Sequence, residues 1–180
     1  MKKFVSVVLI AALMLSLSAV ALADTYGLGV STGIGSSKAA TAEKDGVAQV
    51  DSTICALVLD AEGKIKSVKF DVAQTKVAIN AKGEITADVT AEIRSKVELQ
   101  GDYGMQKVSS LEKGEWFQQA AAFEEYCLGK TVEEVLGMET YDKGDGHHTQ
   151  VPAGEDVKTS VTLDVGGFLA ALAKAAASAK

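Results

Sequence analysis

Both histidines of this 180-residue chain lie in one polar run, Asp142-Lys143-Gly144-Asp145-Gly146-His147-His148. Imidazole beside carboxylate is a donor set for metals, but adjacent imidazoles point different ways and a tight site needs converging ligands. No Glu closes a twelve-residue loop, so the calcium-loop spacing is also missing. No metal ligand is therefore assigned. Ser109, Ser110 and Cys127 are the available nucleophiles, yet neither a G-x-S-x-G elbow nor a Cys–His signature surrounds them. No catalytic residue is assigned either, and enzyme activity is not expected. Gly27-Leu28-Gly29 and Gly33-Ile34-Gly35-Ser36-Ser37-Lys38 form a glycine-rich stretch. Backbone N–H groups there could cradle a phosphate. The strand–turn–helix unit of a P-loop or dinucleotide fold is absent, so the stretch reads as a loop following a first strand.

The two cysteines, Cys55 and Cys127, have no CxxC partners. A redox or zinc role is not expected of them. One bridge between them would close a long loop, worth about 4–5 kcal/mol in the chain-entropy model. The other reading is two buried small hydrophobes, since Cys55 lies in the apolar run Ile54-Cys55-Ala56-Leu57-Val58 and Cys127 stands near a helix end.

An oxidised bridge is possible only outside the cytoplasm, and the chain begins with an export pattern. Met1-Lys2-Lys3 is positive, Phe4 to Val20 is apolar apart from three serines, and Ala21-Leu22-Ala23 precedes Asp24. Residues 1–23 thus read as a secretory signal peptide, cleaved between Ala23 and Asp24. An uncleaved anchor is the alternative, the apolar core being near the lower limit for a span. Cleavage leaves residues 24–180 as one domain, extracytoplasmic and without a stable membrane anchor. It also removes Lys2 and Lys3 and takes the net charge from −6 to −8. That balance argues against nucleic acid or an anionic membrane surface as partner, since both demand basic patches.

The elements that must hold these residues are strands first and helices second. Tyr26 to Thr32 reads as a strand, and Val47 to Leu59 as a second, rich in β-branched residues. Asp60-Ala61-Glu62-Gly63 is turn chemistry, and Lys64 to Val72 alternates as a strand returning along the second. Leu59-Asp60-Ala61-Glu62-Gly63-Lys64-Ile65 is echoed by Ile79-Asn80-Ala81-Lys82-Gly83-Glu84-Ile85. The echo predicts two successive hairpins, with a short strand over 84–89 and irregular chain to Leu99. Gly101 to Gly104 reads as a turn.

Glu115 to Leu128 predicts a helix burying Trp116, Ala120, Phe123 and Cys127, with Gly129 as its stop. Thr131-Val132-Glu133-Glu134 is a capping box opening a short helix to Leu136. Thr140 to Gly154 reads as a loop and Ser160 to Val165 as a strand or extended lead. Asp164 is placed to cap a final helix over 165–177, with Phe168, Leu169 and Leu172 buried. The expected fold is α+β: an antiparallel meander of hairpins covered on one face by two or three helices.

Two stretches resemble a family. Asp45-Gly46-Val47 and Val58-Leu59-Asp60-Ala61-Glu62-Gly63-Lys64-Ile65-Lys66-Ser67-Val68 are similar to the opening hairpin of bacterial exported FMN-binding domains. Val157-Lys158-Thr159-Ser160-Val161-Thr162 resembles that family's closing Ser-Gly-Ala-Thr-x-Thr-like segment, with Lys158 for its Gly and Thr159 for its Ala. The resemblance implies an exported domain that binds FMN and serves electron transfer, with Ser160 and Thr162 near the flavin phosphate at the start of the last helix. Small secreted proteins of anaerobic bacteria carry a similar Asp102-to-Met105 stretch and a Glu115-Trp116 helix start. The residues themselves also admit a secreted, non-enzymatic ligand-binding or interaction module without cofactor. A flavin is the partner expected on the first reading and another small molecule on the second, with protein partners left open.

Overall fold

The computed structural model describes residues 23–180; the expected signal peptide lies almost wholly outside them. The fold is α+β, as the order of elements implies. Strand β1 (Thr25–Gly33), β2 (Gly46–Leu59) and β3 (Ile65–Ile79) form an antiparallel sheet in that order. Five-residue turns do the joining where acid or amide and glycine recur. Asp60 Oδ1 accepts from the Glu62 and Lys64 amides, and Asn80 Oδ1 accepts from Lys82 and Glu84 in the same way. Gly63 and Gly83 sit at φ +78° and +85°, a region that glycine enters without a Cβ penalty.

The second turn closes only a single bridge, Ile79 to Ile85, so the expected strand over 84–89 does not form. After the Thr86 amide donates to Ala78 O the chain turns away from β3, because Asp88 Oδ1 accepts from the Thr90 amide and hydroxyl and bends it there. Farther along β3 the Phe70 amide donates to Glu124, and Asp71 Oδ1 accepts from the Val97 amide. Ile85, Val89 and Ile93 stay exposed in consequence. Strand β3 instead runs to Ile79, seven residues beyond the expected end.

Helix α1 (Lys96–Leu99) follows, opened by a capping box at Ser95, and two 3-10 turns occupy 100–103 and 105–107. Helix α2 (Trp116–Cys127) buries the predicted face, Trp116, Ala120, Phe123 and Cys127. Gly129 has a positive φ, as a stop residue should, but its N–H reaches across to Ile65 O. Helix α3 (Val132–Leu136) starts at the Thr131 capping box. A two-residue pair, β4 (Thr140–Tyr141) with β5 (Val151–Pro152), lies inside the expected loop.

Residues 155–160 form consecutive turns, and 161–165 is a short lead into the last helix rather than a strand. Together they drop Val157, Val161, Leu163 and Val165 into the core. Helix α4 (Gly166–Ser178) begins one residue later than expected, with Val165 at its cap, although Asp164 Oδ1 still accepts from the Gly166 amide.

Helices α2 and α4 cover one face of the sheet. On that face Cys55, Leu57, Val68 and Phe70 meet Phe123 and Phe168. Phe70 and Phe168 stack at 4.6 Å between centroids, and Phe123 and Trp116 close round Phe168 at 5.6 and 5.7 Å. Each fully buried ring of this kind contributes about 1.5–3 kcal/mol over exposure. Helix α4 also shields the free edge of β1. Lys180 exchanges both backbone bonds with Tyr26, the Ser178 hydroxyl bridges Leu28 N–H and O, and Lys174 Nζ donates to Val30 O. An unpaired edge would otherwise invite another chain.

Candidate functional site

Strand β2 is apolar on both faces. Cys55 and Leu57 point to the core, while Ile54, Ala56 and Val58 alternate onto the other face. There they lie beside Val30, Leu28 and Tyr26 of β1, their register partners. Leu28 and Tyr26 are each more than 60% exposed, so along β1 this face is not covered by the helices of the described residues. Where β3 ends this face, α2 stands beside the edge and α1 leans over it. Between them lies a cavity of about 420 Å³. Ile54 and Ala56 come to it from the sheet, Val97 from α1, and Phe117 and Ala121 from α2.

Each wall has a local cause. Phe117 and Ala121 are four apart on α2, on the flank of its buried stripe next to Ala120 and Glu124, so they share one face. Helix α1 is only four residues long and is held from outside. Asp71 binds its Val97 amide, and Lys96 Nζ lies 4.7 Å from the Tyr103 ring centre and 5.3 Å from that of Trp116. Glu124 is nearly buried, its Oε1 accepting from Phe70 N–H at 2.9 Å and its Oε2 pairing with the exposed Lys69. Gln100, at φ +50°, is the one non-glycine residue with positive φ among the described residues, and it too lines the cavity. A non-glycine residue held in such a conformation costs about 1–3 kcal/mol, and such strain gathers at ligand sites.

The sequence reading assigned none of these residues. A signal was present: a strand apolar on both faces, in a sheet expected to be covered on one.

The sequence-derived candidates stand elsewhere. Ser160 is exposed beside α2, bordering clefts it shares with Ala122. Thr162 is half-buried. Its amide and its hydroxyl both donate to Gln119 Oε1, at 2.8 and 3.2 Å, and its carbonyl accepts from Lys143 Nζ. Asp164 occupies the start of α4, where its carboxylate accepts from the Thr149, Gln150 and Gly166 amides.

The histidines diverge. His148 Nδ1 lies 2.7 Å from Asp145 Oδ2, while His147 faces a separate cavity. The amides of His147 and His148, then the His148 ring, hold the Asp145 carboxyl well below the usual carboxylate range. Among the described residues no three His, Cys, Asp or Glu side chains group as a metal site.

No known protein family, curated protein or solved structure matches this chain. Its chemistry must be read from its own residues, and the flavin reading can be tested on them. A phosphate near Ser160 and Thr162 would need free donors at the start of α4. Thr162 has spent its two donors on Gln119, and the carboxylate of Asp164 already holds the place an anion would take. Thr162 and Asp164 thus offer a flavin phosphate no free donor, which leaves the exposed Ser160 hydroxyl as the one resembling residue able to reach it.

Cys55 and Cys127 are free thiols, both fully buried in the core, which is the small-hydrophobe reading. Burial first, then the charge of Glu124, pushes the Cys55 thiol up to about 12. Burial does the same for Cys127, with Cys55 and Glu124 adding and Lys130 opposing. Such thiols are protonated and unreactive at neutral pH.

The folded chain holds these protons more tightly than the unfolded one. Their contribution is therefore constant below pH 9.0 and falls as pH rises toward about 12. Urea midpoints measured against pH should decline more steeply in the wild type than in Cys55→Ala/Cys127→Ala above pH 9. Parallel profiles would contradict the assignment.

Proposed function

We propose that this protein is an extracytoplasmic, non-enzymatic binding module that takes a small molecule with an apolar body in the groove between the open sheet face, α1 and α2. One observation carries the reading: the cavity of about 420 Å³ and its apolar walls. The volume falls within the range of small-molecule pockets, which are mostly apolar with a few placed polar groups. Lys69, Asp71, Gln100 and Glu124 are those groups here. They give the ligand's polar end something to bond, while Phe117, Val97 and Ile54 accept its body. The strained Gln100 supports the same reading, because the fold maintains a costly conformation at this one place. The export pattern of residues 1–23 supplies the compartment.

A neutral fluorescent naphthylamine tests it. Saturable enhancement of its emission is expected with the wild-type protein. Ala121→Trp should abolish that enhancement by filling the groove, yet change stability by no more than about 0.5 kcal/mol, since Ala121 is exposed on the helix. Equal enhancement by wild type and variant would place the probe elsewhere and sink the proposal. Titration with FMN, followed by flavin absorbance, is expected to give no saturable change. A saturable one would restore the flavin reading.

A further inference from the structure

The two polar motifs of the sequence, more than a hundred residues apart, meet in the fold. The glycine-rich stretch after β1 and the histidine loop before β5 both line a cavity of about 420 Å³ at the far end of the β2–β3 hairpin. Gly35, Ser36 and Lys38 come from the first, Gly146 and His147 from the second, and Lys76 from β3. We infer that this cavity is a binding site for a tetrahedral oxyanion, phosphate or sulfate, free or as a monoester.

The charges decide this. The chain is acidic overall, but the unpaired charges on this cavity are positive. Lys38 and Lys76 have no carboxylate partner among the described residues. No Asp or Glu lines the cavity, and the acids near it bond to other partners. Asp51 receives both its bonds from the buried Gln49 side chain, at 3.0 and 2.8 Å. Asp145 is engaged by the amides of His147 and His148 and by the His148 ring. Two lysines left without counter-ions beside one cavity repel each other, and a bound anion removes that repulsion.

The loop is also fixed in place before any ligand arrives. Lys38 exchanges backbone bonds with Val47 at 2.8 Å each way, and the Ser37 hydroxyl donates to Gln49 O and accepts from Gln49 N–H. β1 has by then left β2, and the loop takes its place along that strand. The amides of Gly35 and Ser36 and the Ser36 hydroxyl are left without partners among the described residues. These are hydrogen-bond donors of the kind that a turn offers an anion. His147 adds a ring that donates from one nitrogen or both.

Amide chemical shifts, followed while the purified protein is titrated with inorganic phosphate and separately with glycerol phosphate, test the site. Saturable shifts at Gly35, Ser36, Lys38 and Gly146 are expected, half-complete at about 1 mM. Added salt should weaken them, because the lysines are exposed. Lys38→Gln/Lys76→Gln should weaken binding about tenfold, while Lys107→Gln/Lys113→Gln, with the same change of net charge, should leave it unaltered. Equal affinity for the two probes assigns a free oxyanion as ligand; tighter binding of the ester assigns a ligand whose body also enters the cavity. Shifts that do not saturate overturn the proposal. So does binding that survives Lys38→Gln/Lys76→Gln, or that Lys107→Gln/Lys113→Gln weakens as much.

Discussion

Replacing Gly29 by alanine is expected to cost about 3–5 kcal/mol, above the usual range for one added methyl group. On a total stability of about 5–15 kcal/mol, that leaves a large share of the chain unfolded. The reason is contact with backbone. A Cβ on Gly29 would stand 2.0 Å from the carbonyl oxygen of Ala171 and 2.5 Å from the Ala175 nitrogen. Side chains rotate away from such a clash, but a helix carbonyl cannot. Helix α4 would have to lift from β1, and the stacked Phe168 would move with it.

Gly27 repeats the arrangement one inward position along, its Cβ site 2.1 Å from Ala175 O. The two glycines are what let helix and strand touch. Gly33→Ala is the control, because a Cβ there meets nothing within 4 Å. Chemical denaturation should separate the two variants, with Gly33→Ala within about 0.5 kcal/mol of wild type. Equal midpoints would mean that α4 does not rest on β1 as described. Lifting α4 also withdraws Ser178 and Lys180 from the β1 edge, so self-association should accompany the loss of stability.

These glycines show where sequence legibility stops. The alternation Tyr26-Gly27-Leu28-Gly29-Val30 reads as strand, but its meaning is inverted. The large residues face outward, and the glycines face the core because a helix backbone needs the space. Helix α2 was legible because Trp116, Ala120, Phe123 and Cys127 repeat at helical spacing, and both turns at 60–63 and 80–83 because acid or amide and glycine have specific roles there. The short strand expected over 84–89 failed for a local reason, since Asp88 accepts from the Thr90 amide and hydroxyl and turns the chain away after the one bridge at Ile85.

The groove was hidden because its walls depend on contacts between distant residues. Its wall on α1 is a four-residue helix, too short to show a period, held by Asp71 and by Lys96 against two aromatic rings. The glycine-rich stretch and the histidine loop were each legible as motifs. Their convergence depends on where β1 leaves β2 and on the length of β3, which extends to Lys76 and beyond.

Gln119→Leu is expected to destabilise the protein by about 3 kcal/mol or more, because each buried polar group left unpaired costs about 1–3 kcal/mol. Gln119 is completely buried, and nothing in its position on α2 suggests a polar role. Its side chain ties three parts of the chain together. Nε2 donates to Gly114 O at 3.1 Å, and Oε1 accepts from both the amide and the hydroxyl of Thr162. Leucine keeps most of the volume and removes all three bonds.

Thr162→Val removes only the hydroxyl's share and should cost about 1 kcal/mol. With both substitutions present, the loss should be smaller than the sum, because the two changes remove one shared bond. Hydrogen exchange supplies a local check: the Thr162 amide should lose protection in Gln119→Leu and keep it in Thr162→Val. If instead Thr162→Val alters FMN uptake and leaves stability untouched, the hydroxyl serves a ligand rather than Gln119. The two readings of Thr162 thus predict opposite results from one substitution. The geometry favours the structural result, since an oxygen already donating to a buried amide oxygen 3.2 Å away has no hydrogen left to give.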